Sequence, residues 1–497
     1  MGKSAIAQAL KAGKFLIQKG RQKMKKVVAL LLIAVMAIGF VSCGKNASGD
    51  VPTLVWYLPG EKQADVVAVN EAINAIIEPE IGAKIDLQYI ASSDFTERLR
   101  LVMASQDEFD LCFTGFANPY LDGVRRGGFY EMSDLLEEYG EELSKSIPDY
   151  LWEAVNVDGE IYAVPCYQAM TQCAAIYFNK ALVEKYGFDT SKVKKMEDIV
   201  PFLETIRDNE KGNFFPMQRP TISYFYEDPF RYEATSINYV YLDRKTNELV
   251  FMYDIPEIDK AQRTIKEWND AGFFNPDISA STPIAQVAVS VTTGYRPGDP
   301  EDRARQAGYE IIAVPISDFA MSRSTATTTM TAISATSKNP EKAMQMILQV
   351  NVNPEVFNLC AYGIEGKHYE KIDETHIKLI PDSGYAPDGN WKFGNMFIGY
   401  LMEGYQDDLW EVLAANNDKA KKELLIGFVA DVSPVSTYIS NIATAQGEYS
   451  ELLNGTSKNY DAKMAERAKK VEAAGKAELM KYAEEVVYKY MDEKGLR

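Results

Sequence analysis

Pro165 stands between two apolar runs, Ile161–Val164 and Ala174–Phe178, and that arrangement constrains the fold more than any other feature of the chain. Both runs have the β-branched and aromatic content of strands. Proline has no backbone N–H for a ladder bond, so a central strand stops there and the chain turns away. A strand that leaves one sheet just before residues that enter another joins two lobes. Val164–Gln168 is therefore read as one strand of a hinge, with two lobes hung from it to close on a ligand.

The 497 residues suffice for two or three domains, and 46% hydrophobic content with 11% aromatics supports packed cores. Residues 1–43 hold basic side chains and no acid, while all 71 acids lie beyond them, which marks a targeting segment. Within it Val27–Val41 is apolar, follows Lys25 and Lys26, and falls short of the roughly 20 residues a transmembrane helix needs. Phe40, Val41, Ser42 and Cys43 resemble a bacterial lipoprotein processing site with Cys43 as the lipidated residue, although Phe40 stands where leucine is usual. Residues 44–50 have the composition of a flexible tether. Met24, ahead of the two lysines, has the form of the true start. The remaining cysteines, Cys112, Cys166, Cys173 and Cys360, stand singly in apolar settings without CxxC spacing, which suits buried thiols. Whether Cys166 and Cys173 pair stays open.

Strand, helix, strand, helix, strand is read over Thr53–Leu58, Val66–Ile77, Ile85–Ile90, Phe95–Ser105 and Phe109–Phe113, the pattern of an α/β fold with a parallel sheet. Ligands of such sheets bind outside the carboxyl ends of the strands, here Leu58–Lys62 and Thr114–Asn118. A sugar ring offers an apolar C–H face and a rim of hydroxyls, so its site needs flat aromatic surface beside paired polar groups. Trp56, Tyr57, Glu61 and Lys62 supply both after the first strand. Thr114, Phe116 and Asn118 do so after the third, Tyr167 and Gln168 at the hinge, and Tyr224, Tyr226, Glu227 and Asp228 in the aromatic stretch TISYFYEDPF. Tyr295 and Trp391 complete the candidates. Trp56 fits a core strand equally well, Glu61 and Lys62 a solvated loop tip, and Trp391 the packing of a C-terminal domain. Tyr224, Phe225 and Tyr226 are read as alternating along a strand, with one of the three facing the core.

Only two histidines exist, His368 and His376, with no acidic ligand at metal spacing, and no GxSxG occurs. A zinc site or a serine–histidine triad is hard to build from these. A glycosidase-type carboxylate pair stays open. The acidic composition argues against nucleic acid as partner.

Several ordered features carry a family resemblance: FDLCF, GFYEMSDLLEEY, GEIYAVP and IYFNKALVEKYGFD, then YEIIAVP (Tyr309–Pro315) and ISATSKNPEKAMQMI (Ile333–Ile347). Together they resemble the extracellular solute-binding proteins of bacterial ABC importers, in the group that binds sugars and oligosaccharides. GIEGKHYEKI, NWKFGNMFI and the GFVADVSPV to AAGKAELMKYAEE run look like the C-terminal domain, of unknown function, of a lipid-anchored polysaccharide-type subgroup. The resemblance implies an α/β, two-lobed, type II periplasmic-binding-protein fold. It implies ligand contacts in the loops after the first strand and the FDLCF strand and in the aromatic second-lobe loop.

The expected division is a signal with lipoprotein site over 1–43, tether 44–50, first lobe 51–165 and 313–360, second lobe 166–312, and a C-terminal region 361–497 packed mainly on the second lobe. Hinge segments are expected at Val164–Gln168, Ala313–Pro315 and near Leu359. The expected protein is a monomeric, lipid-anchored receptor on the extracytoplasmic face of the cell membrane. It would hand a carbohydrate to a permease powered by a cytoplasmic ATPase, with no cofactor, metal or catalysis. A peptide or other small-solute receptor, a secreted carbohydrate-active hydrolase and a partner of a membrane sensor are the alternatives.

Overall fold

The computed structural model describes residues 51–497 except 226, 227, 229 and 278–281. Cys43, Met24 and the tether lie outside the described residues, as do Tyr226 and Glu227. Residues Pro52–Arg497 hold together as one unit, built on two sheets.

The first sheet has the order Lys84–Ile90, Thr53–Pro59, Leu111–Gly115, Thr329–Ile333, Val164–Pro165. Its first three strands are parallel, as the strand–helix alternation predicts, and the last two run antiparallel to their neighbours. Leu54, Trp56 and Leu58 point into a core completed by Ile73 and Ile77 of the helix Val66–Ile81 and Leu99 of Phe95–Ser105. The third strand begins two residues later than the pattern Phe109–Phe113 suggests. Asp110 is the reason: its carboxylate accepts from the Val55 N–H (3.0 Å) and the Ser337 hydroxyl (2.6 Å), bracketing the strand's start. Of the run Ile161–Val164, only Val164 enters the sheet. With Pro165 it forms the edge strand, where a missing N–H costs no ladder bond.

The second sheet has the order Ile311–Pro315, Ala175–Asn179, Val287–Thr292, Phe215–Met217. Every residue of Ala175–Asn179 is buried, and Ile176 and Phe178 share a core with Phe202, Ile265 and Val289. Ile222–Phe225 is a 3₁₀ turn rather than the alternating strand expected there, because Phe225 packs edge-on against Trp268 (5.2 Å between ring centres) and pulls the backbone round.

The chain's later course differs in part from the expected one. The region 361–497 is expected mainly on the second lobe, and its first part departs from that: Ala361, Tyr362, Tyr369, Tyr385, Phe393 and Met396 lie in the first lobe's core. Only later does the chain cross to cover the small sheet Tyr232–Ala234, Val240–Asp243, Glu248–Phe251, with Ile442, Val471, Leu479 and Val487 packed on Leu242 and Phe251. There the final helices Tyr460–Ala473 and Lys476–Lys494 are separated at Gly475 (φ +103°), where a Cβ would lie 2.3 Å from the Tyr438 ring. Leu359 is likewise no crossing: it sits within the helix Pro354–Tyr362, whose Val356, Phe357 and Cys360 are first-lobe core. Ile311–Pro315 belongs wholly to the second sheet, so the return to the first lobe follows Pro315.

Three segments thus pass between the sheets, at 166–174, 316–328 and 403–423, and they are bonded to one another. Gln172 and Ala320 exchange two backbone hydrogen bonds (2.7 and 2.8 Å). Ala320–Met321 pairs in parallel with Lys421–Lys422. Asn417, fully buried, accepts from the Met170 N–H (2.9 Å) and donates to the Gln168 carbonyl (2.6 Å). The four described cysteines are free and buried, and the Cys173 thiol donates to the Ser317 carbonyl rather than meeting Cys166.

Asn417→Ala leaves one buried N–H and one carbonyl of the first crossing without partners. Denaturant unfolding should show a loss of roughly 2–4 kcal/mol. A loss under about 0.5 kcal/mol would mean that the crossing is held without this side chain.

Candidate functional site

The crossings bring the carboxyl ends of strands from both sheets to one cleft. A cavity of about 680 Å³ opens there. The first lobe contributes Tyr362, Asn390 and Trp391, the second Arg296 and Asp302, and the crossings Gln168, Tyr405 and Trp410. A smaller cavity of about 280 Å³, lined by Tyr295, shares Tyr405 and Leu409 with it. A larger one of about 820 Å³ lies beside the second crossing, but it takes no first-lobe side chain and most of its charges are already paired. There Arg231 meets Asp243 and Glu257, and Lys421 meets Asp318. The cavity that both lobes wall is the candidate binding site.

Its aromatic surfaces are held in place by their polar edges. The Trp410 indole N–H donates to the Gly399 carbonyl (2.8 Å), and the Tyr405 hydroxyl to Asp302 (2.6 Å), which also holds Arg305. Asn390 donates to the Tyr362 hydroxyl (2.8 Å), leaving its amide oxygen available. Gln168 donates to Thr329 (2.5 Å), which likewise leaves its oxygen unused. Trp391 stacks edge-on with Phe116 (5.6 Å) and Phe113 (6.1 Å). Its approach depends on Gly389 (φ +105°), where a Cβ would sit 2.0 Å from the indole nitrogen.

Beneath Trp391 lies Lys392, 1% exposed, donating to the carbonyls of Pro59 (2.9 Å) and Pro387 (2.5 Å). It ties the loop that bears Trp391 to the carboxyl end of the first strand. Burial lowers its pKa to about 8 because a charged ammonium there has given up its water.

Of the residues chosen from sequence, the structure brings Gln168 and Trp391 to the cavity, Tyr295 to the adjoining one, and Phe116 against Trp391. Trp56 is a correction: it is fully buried, packed edge-on against Phe393, because it occupies an inward position of the first strand. Thr114 and Asn118 are corrected too, being 0% and 4% exposed. The Thr114 hydroxyl donates to the Asn118 carbonyl (2.6 Å) and the Asn118 amide to the Phe113 carbonyl (3.2 Å), so they brace the turn that carries Phe116. Tyr167 is buried against Phe397. Tyr57 packs on Phe109, and Glu61 and Lys62 lie exposed outside the cavity lining. Tyr224 is half-buried against the second core, with its hydroxyl bonded at Thr293.

Tyr362, Asn390, Tyr405, Trp410 and Arg296 were missed by sequence reasoning. The turn Pro387–Asp388–Gly389–Asn390 just before Trp391 is a signal that could have found Asn390. Trp410 lies on the helix Leu409–Lys419, whose pattern reads as ordinary core packing. His368 is buried, accepting from the Ile364 N–H (2.8 Å) and facing Asp65 (3.2 Å). Among the described residues no cluster of histidine, cysteine and acidic side chains is placed to hold a metal, and no helix is long and apolar enough to cross a membrane.

A family profile described as bacterial extracellular solute-binding protein matches residues 64–347. A "Carbohydrate ABC transporter substrate-binding protein" of Streptococcus pneumoniae is 27% identical over 470 residues, covering 91% of this chain and 95% of its own. The crystal structure of the N-glycan transport solute-binding protein NgtS from S. pneumoniae superposes with a TM-score of 0.80 at 25% identity, over 89% of this chain and 100% of that one. The same protein in complex with Man1GlcNAc gives 0.71 at 26% identity, over 88% and 100%. The two-lobed type II fold implied by the sequence is the fold observed.

Lys392 generates a pH dependence whose sign follows from its burial. Unfolded, a lysine titrates near about 10.4, so between pH 8 and that value the unfolded chain binds more protons and raising pH favours the folded state. The unfolding free energy of the wild type relative to Lys392→Met should rise by about 3 kcal/mol across that window. A pH-independent difference would show that Lys392 keeps its charge when folded.

Proposed function

The chain belongs to the bacterial extracellular solute-binding protein family, and on that premise we propose that it is the receptor of an ABC importer for an oligosaccharide. It binds a solute and catalyses nothing. The observation that carries the carbohydrate reading is the cavity walled by Trp391, Trp410, Tyr362 and Tyr405, with the amide oxygens of Gln168 and Asn390 free beside them. Flat rings meet the C–H faces of sugars, and amide oxygens accept from their hydroxyls. The complexes of NgtS with Man1GlcNAc and Man5GlcNAc support a glycan of two or more residues.

The mechanism is closure of two lobes about the three bonded crossings. A ligand touching Asn390 and Trp391 on one side and the second-lobe wall on the other makes contacts that the open form cannot make all at once. Only that difference in affinity drives the population toward the closed form. The closed form docks on a membrane permease powered by a cytoplasmic ATPase. A lipid on Cys43, with 44–50 as tether, keeps the receptor near it.

Intrinsic tryptophan fluorescence of the chain from Gly44 onward, titrated with oligosaccharides, monosaccharides and peptides, tests the reading. A saturable change with one glycan class and intact ligand afterwards is expected. Trp391→Ala should weaken that binding about tenfold or more. A response to peptides alone would discard the carbohydrate assignment, and released product would make the protein a hydrolase.

A further inference from the structure

We propose that Arg296 reads a carboxylate on the ligand, so that the oligosaccharide taken up is an acidic one. This inference rests on the carbohydrate reading of the same cavity. It starts from the pairing of charges in the second-lobe wall. Three arginines follow the strand Val287–Thr292 within a short span, Arg296, Arg303 and Arg305. Arg303 pairs with Asp299 (2.9 Å) and Arg305 with Asp302. Arg296 lines the cavity, half-buried, and has no acidic or carbonyl partner among the described residues.

An arginine left without a carboxylate is notable in a chain of 71 acids and 53 bases. Its guanidinium stays charged at any physiological pH, and half-burial strengthens its attraction for an anion relative to bulk water. The planar fork of N–H groups matches a carboxylate with two parallel hydrogen bonds, the strongest pairing available to it. Its backbone is also held. The Tyr295 N–H donates to the Cys173 carbonyl (3.1 Å) of the first crossing, and the Arg296 carbonyl accepts from the Asp299 N–H (3.1 Å). The backbone that bears the cation is thereby held in the second-lobe wall of the cavity that Trp391 lines from the first lobe. Asp388 is the one other charged group of the lining without an ion pair, and it lies exposed on the first-lobe rim. Closure of Arg296 onto Asp388 is the rival use of this charge.

The test uses matched oligosaccharide pairs, each a uronate- or sialate-terminated member and its carboxyl-reduced neutral twin, titrated against the full chain. The acidic member should bind at least tenfold tighter, with a preference that shrinks as salt rises. Arg296→Gln should erase the preference, read as the ratio of the two members' affinities for the same variant, and Arg296→Lys should keep part of it; unchanged unfolding midpoints establish that both variants fold. Equal binding of the twins by the wild type, or a preference that survives in Arg296→Gln, overturns the inference while glycan binding itself stands. If Asp388→Asn and Arg296→Gln weaken the neutral member alike, the arginine is a latch between lobes and the inference is likewise overturned. Binding of neither member defeats the carbohydrate reading and the inference together.

Discussion

The backbone and side-chain hydrogen bonds that join the three crossing segments govern everything else in this structure. Gln172 with Ala320, Ala320–Met321 with Lys421–Lys422, and Asn417 with Gln168 and Met170 make one bonded junction from parts of the chain nearly 250 residues apart. A lone strand between lobes would bend in any direction. Cross-linked segments restrict the lobes to motions that keep these bonds, since breaking buried ones costs more than a hinge rotation gains.

The binding surface hangs from that junction on both sides. On the first lobe, Lys392 spends its donors on the Pro59 and Pro387 carbonyls and so sets the height of the loop that bears Trp391. On the second, the turn that bears Arg296 is tied to Cys173, two residues before the second sheet begins. Trp410 and Tyr405 come from the third crossing itself. Under the proposed closure, a ring on a crossing would keep its relation to both lobes and could hold a sugar before and after it.

Much of the architecture was legible in the sequence. Phe95–Ser105 is a helix over the range read from its periodicity, and Pro165 ends an edge strand as its missing N–H requires. The site was less legible. Thr114 and Asn118 stand where a ligand loop was expected, but their polar groups are consumed by the turn itself, and only Phe116 projects from it. Trp56 stands in the apolar run TLVWYL and Trp391 after the turn Pro387–Asn390. One is wholly interior and the other lines the cavity, and the local difference between them says nothing of which surface the second one meets.

The sequence by itself determined the α/β class, the two lobes and the strand end at Pro165 where the first crossing starts, because hydrophobic period, proline and turn residues act over a few positions. That strand stops there and does not run on to Gln168. Tertiary structure alone decided where the chain crosses for the third time and which aromatics meet the cleft. Lys392 and Pro59 are 333 residues apart, and Asn417 and Met170 are 247 apart. Contacts at such separations depend on how whole lobes pack, and no local pattern encodes the partner across them.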